Sequence, residues 1–475
     1  MTFALRPYQS DTIARVRQAL SRHRSVLMQL PTGGGKTDMG AYMTGGAMAR
    51  GLSTWFMVHR DFLVAQTVAA FERLGISTGV IAAGHRPSPW EQVQVVSIPT
   101  LARRLDRYQP PDFAIVDECH HLASATWARI ARWHTGRMVG LSATPSRLDG
   151  RGLDEFFGEL VTGPSVRELM DEGYLSRYRA YAPSRPSLDG VHTRAGDYAQ
   201  DELAGIMDQG EIIGDMVGHY RRLADGKRAI YFAVSIRHSE HIAATFNRAG
   251  VAARHLDAGS STVERRAAAQ AFGRGELSVL TNVDIFGEGF DLAAQAECDV
   301  SVEVVGLARP TQSVTLHLQQ IGRSLRPKSD PAIILDHAGN LLRHGLPDTD
   351  SEWTLKGRDR KHRANDNGPP VRQCPECYAV HPAAPACPYC GTVYTVEGRE
   401  PDEVAGELAE INIEAIERQK HLDFVSRKIE ERACRTLADW QRLAQKRGFK
   451  VGWAFYRYEA AQRKPRGGID RRMTG

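Results

Sequence analysis

The sequence predicts an α/β protein: two parallel-sheet lobes, then a small four-cysteine module and a helical tail. Three observations carry this. Short apolar runs alternate with helix-forming stretches in two successive blocks, the pattern of parallel strands joined by crossover helices. The first of these runs leads into a glycine-rich loop that opens a helix. Two Cys-x-x-Cys pairs lie close together after the second block.

The bulk numbers set the frame. A chain of 475 residues has room for two or three domains. Hydrophobic content of 42% and charged content of 25% are those of an ordinary globular protein. A net charge of +5 and a pI near 8.8 permit a polyanionic partner without requiring one. No apolar run is long enough to cross a bilayer, and the start Met1-Thr-Phe-Ala-Leu-Arg-Pro-Tyr-Gln lacks the build of a signal peptide. The expectation is a cytoplasmic protein without membrane attachment. Of seven cysteines, Cys119, Cys298 and Cys434 stand alone and four cluster, which suggests metal more than disulfides.

In the first lobe, Ser25 to Leu30 reads as a buried strand and Thr37 to Ala49 as a helix. Between them, Pro31, Thr32, Gly33, Gly34 and Gly35 lead to Lys36 and Thr37, the makings of a phosphate-binding loop. The glycines let backbone N–H groups curl around phosphate oxygens, and the helix N-terminus adds a favourable dipole. Lys36 would sit on the β- and γ-phosphates, and the Thr37 hydroxyl on Mg²⁺. The usual pattern has Gly where this chain has Leu30. Arg6 and Gln9 precede the loop on the same ATP side, and a glutamine there can read an adenine edge through its amide.

Ser53 to Val58 is the next strand, with His59 and Arg60 at its C-terminal edge. Open α/β sheets bind ligands at that edge, though helix capping is an equal role for both residues. Val93 to Ser97 repeats the pattern ahead of Thr100 and Arg103. The apolar run from Phe113 ends in Asp117-Glu118-Cys119-His120, which gives two carboxylates distinct tasks. Asp117 would hold Mg²⁺ through water, and Glu118 would orient and deprotonate an attacking water. Arg137 to Leu141 ends in Ser142-Ala143-Thr144.

These stretches, in this order, resemble the motifs of a superfamily 2 helicase or translocase. The second lobe completes the set with the strand Arg228 to Ala233, the run Asn282 to Asp291, and Gln319-Gln-Ile-Gly-Arg323-Ser-Leu-Arg326-Pro327. The resemblance implies two RecA-like (P-loop NTPase) lobes, residues 1–180 and 181–350, that bind ATP between them and act on nucleic acid. It implies an arginine finger at Arg323, a partner near the attacking water at Gln319, and ribose- or Mg²⁺-side contacts at Gly289 and Asp291. The three-residue spacing also places Arg323 and Arg326 on one helix face, able to meet γ-phosphate oxygens as bidentate donors. His120, Ser142 and Thr144 would couple hydrolysis to nucleic acid, contacted at His59, Arg60, Thr100 and Arg103.

Three stretches, Gly140 to Leu153, Ala308 to Val314 and Ile334 to Asn340, are similar to the bacterial RadD-like branch. That branch implies a role in DNA repair or recombination, with proteins of those pathways as partners, and the expectation is a monomer acting on DNA. An RNA helicase, a restriction translocase and a nucleic-acid-binding scaffold with weak ATPase are the alternatives.

Tyr181 to Asp197 reads as an irregular connection, and Glu211 to Asp225 as a helix. Residues 351–373 form a basic linker, either plainly exposed or tracking phosphates. In residues 374–398, Cys374, Cys377, Cys387 and Cys390 form two Cys-x-x-Cys knuckles suited to tetrahedral Zn²⁺ in a zinc-ribbon-like module. Residues 399–475 make a helical tail, with an acidic stretch from Glu400 to Glu417. In it Leu437, Trp440 and Leu443 keep helical spacing ahead of aromatics set among Lys and Arg. Those rings fit a small helical core or a base-stacking surface.

Overall fold

The computed structural model describes residues 5–59, 61–145, 151–182, 186–194, 197–285, 292, 296, 300–349, 352–356, 371–394, 430–431, 433–447 and 451–463. Arg60, Gly289 and Asp291 lie outside them, as do most of the basic linker, the acidic stretch from Glu400 and the last twelve residues.

The first lobe holds seven parallel strands: β1 (Ser25–Gln29), β2 (Thr54–Val58), β3 (Gly79–Ile81), β4 (Val93–Ser97), β5 (Phe113–Val116), β6 (Arg137–Ser142) and β7 (Glu159–Thr162). Their order is β3-β4-β2-β5-β6-β1-β7. Helices cover both faces, so successive residues of one strand enter opposite cores. Val26 and Met28 face one core while Leu27 faces the other, and Phe56 and Val58 are split from Trp55 and Met57 in the same way.

The second lobe repeats the plan with six parallel strands. These are β8 (Tyr178–Tyr181), β11 (Ala229–Phe232), β12 (Ala253–Leu256), β13 (Val279–Asn282), β14 (Val304–Leu307) and β15 (Ala332–Asp336), in the order β12-β13-β11-β14-β15-β8. Two expectations change here. Tyr178–Tyr181 pairs with Ala332–Leu335, so the second lobe begins before residue 180. Leu169, Met170 and Leu175 already pack in its core, because their apolar side chains find cover there. The stretch after residue 181 is not wholly irregular, since β9 (Thr193–Arg194) and β10 (Asp197–Tyr198) form a short antiparallel hairpin. The helix expected from Glu211 spans Gly210–Ala224.

Beyond the second lobe the chain returns to the first. Leu355 packs on the core around Leu153 and Phe156, and its carbonyl accepts the Leu153 N–H at 2.7 Å. Next, β16 (Val371–Gln373) and β17 (Val380–Pro382) form an antiparallel hairpin. That hairpin is joined to β8: Tyr181 bridges Ala379, Ala182 N–H donates to the Tyr378 carbonyl at 3.0 Å, and Val380 enters the second-lobe core.

Residues 396–475 make a separate unit. Helices Leu437–Lys446 and Val451–Arg463 enclose Trp440, Leu443, Ala444 and Ala454. Trp440 is 4% exposed and lies edge-on to Trp453 with the rings 5.8 Å apart, so this tryptophan builds a helical core and is not open to bases. Tyr456, by contrast, is 73% exposed. Among the described residues no helix is long and apolar enough to cross a membrane.

Gly306 tests the packing of the second sheet. A Cβ there would lie 2.2 Å from the ring of fully buried Tyr231. Gly306→Ala is expected to destabilise the protein by about 1–3 kcal/mol, read as a lower urea midpoint. An unchanged midpoint would refute this close packing.

Candidate nucleotide site and cysteine cluster

The loop after β1 takes its shape from two glycines in the left-handed region, Gly33 at φ +86° and Gly35 at +85°. A side chain is strained in that conformation, whatever the space around it. Leu30, where the usual pattern has glycine, is fully buried. It fills the space beneath the loop, where a Cβ on Gly34 or on Gly163 would meet its side chain at 2.8 and 2.5 Å.

Lys36 and Thr37 open the helix Lys36–Met48. The Lys36 ammonium folds back 3.3 Å from the Leu30 carbonyl, inside the loop it would share with phosphate. Tyr8 Oη donates to the Gly34 carbonyl at 2.8 Å, and Gln9 Nε2 donates to the same oxygen at 3.3 Å. Gln9 Oε1 accepts the Arg6 N–H at 2.9 Å. The Gln9 amide thus ties the start of the first helix to the loop. Arg6 lies over the Tyr174 ring, 5.0 Å from its centre, and Tyr174 packs on Tyr8. Burial pushes the Tyr8 hydroxyl above its usual pKa, so it stays a donor.

The carboxylates sit at the end of β5. Glu118 is 8% exposed and adopts a left-handed backbone at φ 48°, a strained state for a residue with a Cβ. Its N–H donates to Asp117 Oδ1 at 3.1 Å. Around His120 Nδ1 a buried polar cluster lies along the strand ends. Glu118 Oε2 lies 3.4 Å from His120 Nδ1, which is 3.2 Å from Ser142 Oγ, and that oxygen accepts the Thr144 N–H at 3.2 Å. Gln29 Nε2 donates to the Ala143 carbonyl at 3.0 Å, joining β1 to the same loop. The structure thus links the predicted hydrolytic residue Glu118 to the predicted coupling residues His120, Ser142 and Thr144.

Across the cleft, the helix Val314–Gly322 abuts the phosphate loop. A Cβ on Gly322 would lie 2.5 Å from Thr32 Cβ, so only glycine permits this approach. Gln319 is 3% exposed, and both its amide atoms are buried without a hydrogen-bond partner among the described residues. An amide in that state is costly unless something polar arrives to meet it.

Arg323 and Arg326 do not share a helix face. The helix ends at Gly322, and Arg323, Ser324 and Leu325 close tight turns onto Gln320, Ile321 and Gly322. Pro327 bars a further helical turn at Arg326. Arg323 and Arg326 are both half-buried. A cavity of about 520 Å³ lies between the lobes beside this contact. Pro31, Thr32, Thr144, Gly322, Glu352 and Trp353 are among its walls.

The nucleic-acid candidates of the first lobe lie after β2 and β4, at C-terminal strand ends. His59 belongs to a ring ladder with His121 (5.4 Å), which neighbours His120 (4.3 Å) and Trp127 (5.4 Å). Thr100 is buried, with its N–H on the Ser97 cap, while Arg103 is exposed. Sequence reasoning missed Tyr8, Tyr174, Gln29 and Gly322. Of these, Gly322 alone left a signal, as the glycine one residue before Arg323.

The four predicted zinc ligands come together: the Sγ atoms of Cys374, Cys377, Cys387 and Cys390 all lie within 4.8 Å of one another. Burial raises the Cys374 thiol, but N–H groups of Cys377 and Glu376 aimed at its sulfur outweigh this and hold it at about 6. Four thiols in so small a volume, one already favouring thiolate, fit a structural Zn²⁺ with no position left for water. Metal analysis is expected to find about one zinc per chain. Cys387→Ser should lose it, and full titration of free thiols in metal-free native protein would refute the site.

The comparisons agree with this geometry. Residues 2–147 match the family described as "Type III restriction enzyme, res subunit", and residues 210–328 match "Helicase conserved C-terminal domain". A 51.5 kDa protein of a Lactococcus phage is 32% identical over 401 residues, covering 83% of each chain. The DNA 3'-5' helicase XPB of Kineococcus radiotolerans is 25% identical over 350 residues, 69% of this chain and 58% of that protein's length. Among solved structures, the DNA-bound ATP-dependent Type ISP restriction-modification enzyme LlaBIII shares the fold at TM-score 0.53 and 17% identity, over 70% of this chain and 27% of that one.

Proposed function

This chain belongs to the superfamily 2 helicases, and from that premise we propose that it is an ATP-driven motor that unwinds or remodels DNA, in repair or recombination. The observation that carries the motor reading is the approach of Gly322 to Thr32, with the partnerless Gln319 amide on the same helix. A nucleotide on Thr32 to Thr37 is then within reach of the second lobe.

Each residue has a physical task. Loop N–H groups and Lys36 hold the phosphates, and the glycine loop is kept in shape by Tyr8 and Gln9. Mg²⁺, when bound, would neutralise phosphate charge, and Thr37 and Asp117 are the residues suited to hold it. Glu118 orients and deprotonates water, and its contact with His120 keeps that carboxylate in place. Gln319 supplies hydrogen bonds on the far side of the cleft, and Arg323 and Arg326 bring positive charge toward the developing charge on phosphate. The polar cluster of Glu118, His120, Ser142 and Thr144 sets that carboxylate beside the strand ends that carry the nucleic-acid candidates.

The DNA preference rests on the XPB-type relative and on the RadD-like stretches. Zinc would stiffen the module on β8, and repair or recombination proteins are the partners this role implies. The match to the restriction-subunit family favours a second reading, a translocase that moves along duplex without separating strands.

ATP turnover measured over single-stranded, duplex and branched DNA and over RNA, with strand separation followed in parallel, separates these readings. DNA should stimulate turnover more than RNA does; the reverse result removes the DNA assignment. Stimulation by duplex without strand separation selects the translocase. Lys36→Ala and Arg323→Ala should each lower turnover by about 10²-fold or more. Wild-type turnover in either variant takes that residue out of the mechanism.

A further inference from the structure

Two stretches singled out in the sequence, Ala308 to Val314 and Ile334 to Asn340, meet in the second lobe. The fully buried Asn340 side chain grips the first stretch from both sides. Its Nδ2 donates to the Arg309 carbonyl at 2.8 Å, and its Oδ1 accepts the Thr311 N–H at 3.1 Å. The Arg309 side chain, held by this clasp, is 7% exposed.

Its guanidinium lies between two carboxylates from distant parts of the chain. Nη1 donates to Asp284 Oδ1, and Nη2 lies 3.9 Å from Asp197 Oδ2. Asp284 follows β13 in a left-handed backbone at φ 56°. It lies within the run Asn282 to Asp291. Asp197 belongs to the β9–β10 hairpin and also accepts from Thr311 Oγ1 at 2.8 Å and from the Gln312 N–H at 2.7 Å. Thr311 Oγ1 accepts the Ser313 N–H at 3.0 Å, and Ser313 Oγ caps the helix Val314–Gly322 at Leu316 N–H. Arg309 and Asp197 together therefore join the hairpin, the end of β13 and the root of the helix that meets Thr32.

Burying a guanidinium between carboxylates is a weak way to gain stability, since desolvation offsets much of the attraction. Its value lies in geometry, because the planar fork can hold two acceptors at fixed directions. We propose that Arg309 is a positioning residue for ATP hydrolysis, fixing the end of β13 at Asp284 and, through Asp197 and Thr311, the root of the helix Val314–Gly322 relative to the phosphate loop. This inference rests on the motor reading above.

The test compares Arg309→Lys, Asp284→Asn and the double variant in the full-length protein. Steady-state ATP hydrolysis at saturating DNA is read together with thermal unfolding. Asp284 is half-exposed, so Asp284→Asn removes the ion pair without opening the core. Each single variant should lower kcat on the order of ten-fold with KM for ATP and the unfolding temperature unchanged, and the double should fall no further than the worse single. Wild-type kcat in Asp284→Asn overturns the proposal. So does a double variant whose loss equals the product of the singles, or a loss that tracks the unfolded fraction. Wild-type protein that hydrolyses no ATP overturns the motor reading and this inference with it, whereas active wild type beside an unaffected Asp284→Asn overturns the inference alone.

Discussion

The arrangement depends on a backbone meeting a side chain across the cleft, Gly322 against Thr32. Two α/β lobes of this kind each hold only part of a phosphate-processing site, and the parts matter only if they come within hydrogen-bonding range. At Gly322 even a methyl group would collide with Thr32. The two lobes can therefore close this far only because position 322 lacks a Cβ. On the other flank of the loop, Leu175 of the second-lobe core approaches Gly33, where a Cβ would lie 2.9 Å from it. The glycines of this protein thus serve two ends: they free the loop to wrap phosphate and they let the second lobe approach it.

Behind that contact, the first lobe is wired by short polar links in a nearly water-free layer. Glu118, His120, Ser142 and Thr144 are all less than a tenth exposed. Polar contacts so placed lose little to solvent, and the hydrogen bonds among them are costly to leave unmade. The left-handed backbone at Glu118 adds strain that the surrounding packing must hold. Such a layer suits a motor, in which the state of a carboxylate has to reach strand ends several residues away.

The cysteine module solves a different problem. β8 is an edge strand of the second sheet, and open edges invite unwanted pairing. The bridge from Tyr181 to Ala379 and the bond from Ala182 to Tyr378 cover part of that edge. Tyr378 takes a left-handed backbone at φ 61° and receives the Arg222 guanidinium 5.5 Å from its ring centre. The knuckle is thus fastened to the motor through backbone and ring contacts, and the four thiols draw its two ends together.

Much of this was legible in the sequence because it is local. The strand–loop–helix around Lys36, the acids ending β5, the lobe-two strands and the Cys-x-x-Cys pairs are each set by spacing along the chain, and spacing is what periodicity and motif reading detect. What the tertiary structure decided is long-range. Gln9 meets the Gly34 carbonyl across 25 residues of chain, beside the Tyr8 hydroxyl on the same oxygen. The lobe boundary moved upstream because β8 completes the second sheet. Arg326 left the helix face because Pro327 stops the last turn. Arg309 entered the sequence reading only as part of the stretch Ala308 to Val314, and folding placed it between Asp284 and Asp197. A sequence states which groups a chain owns, whereas burial and the pairing of distant segments decide which of them must meet.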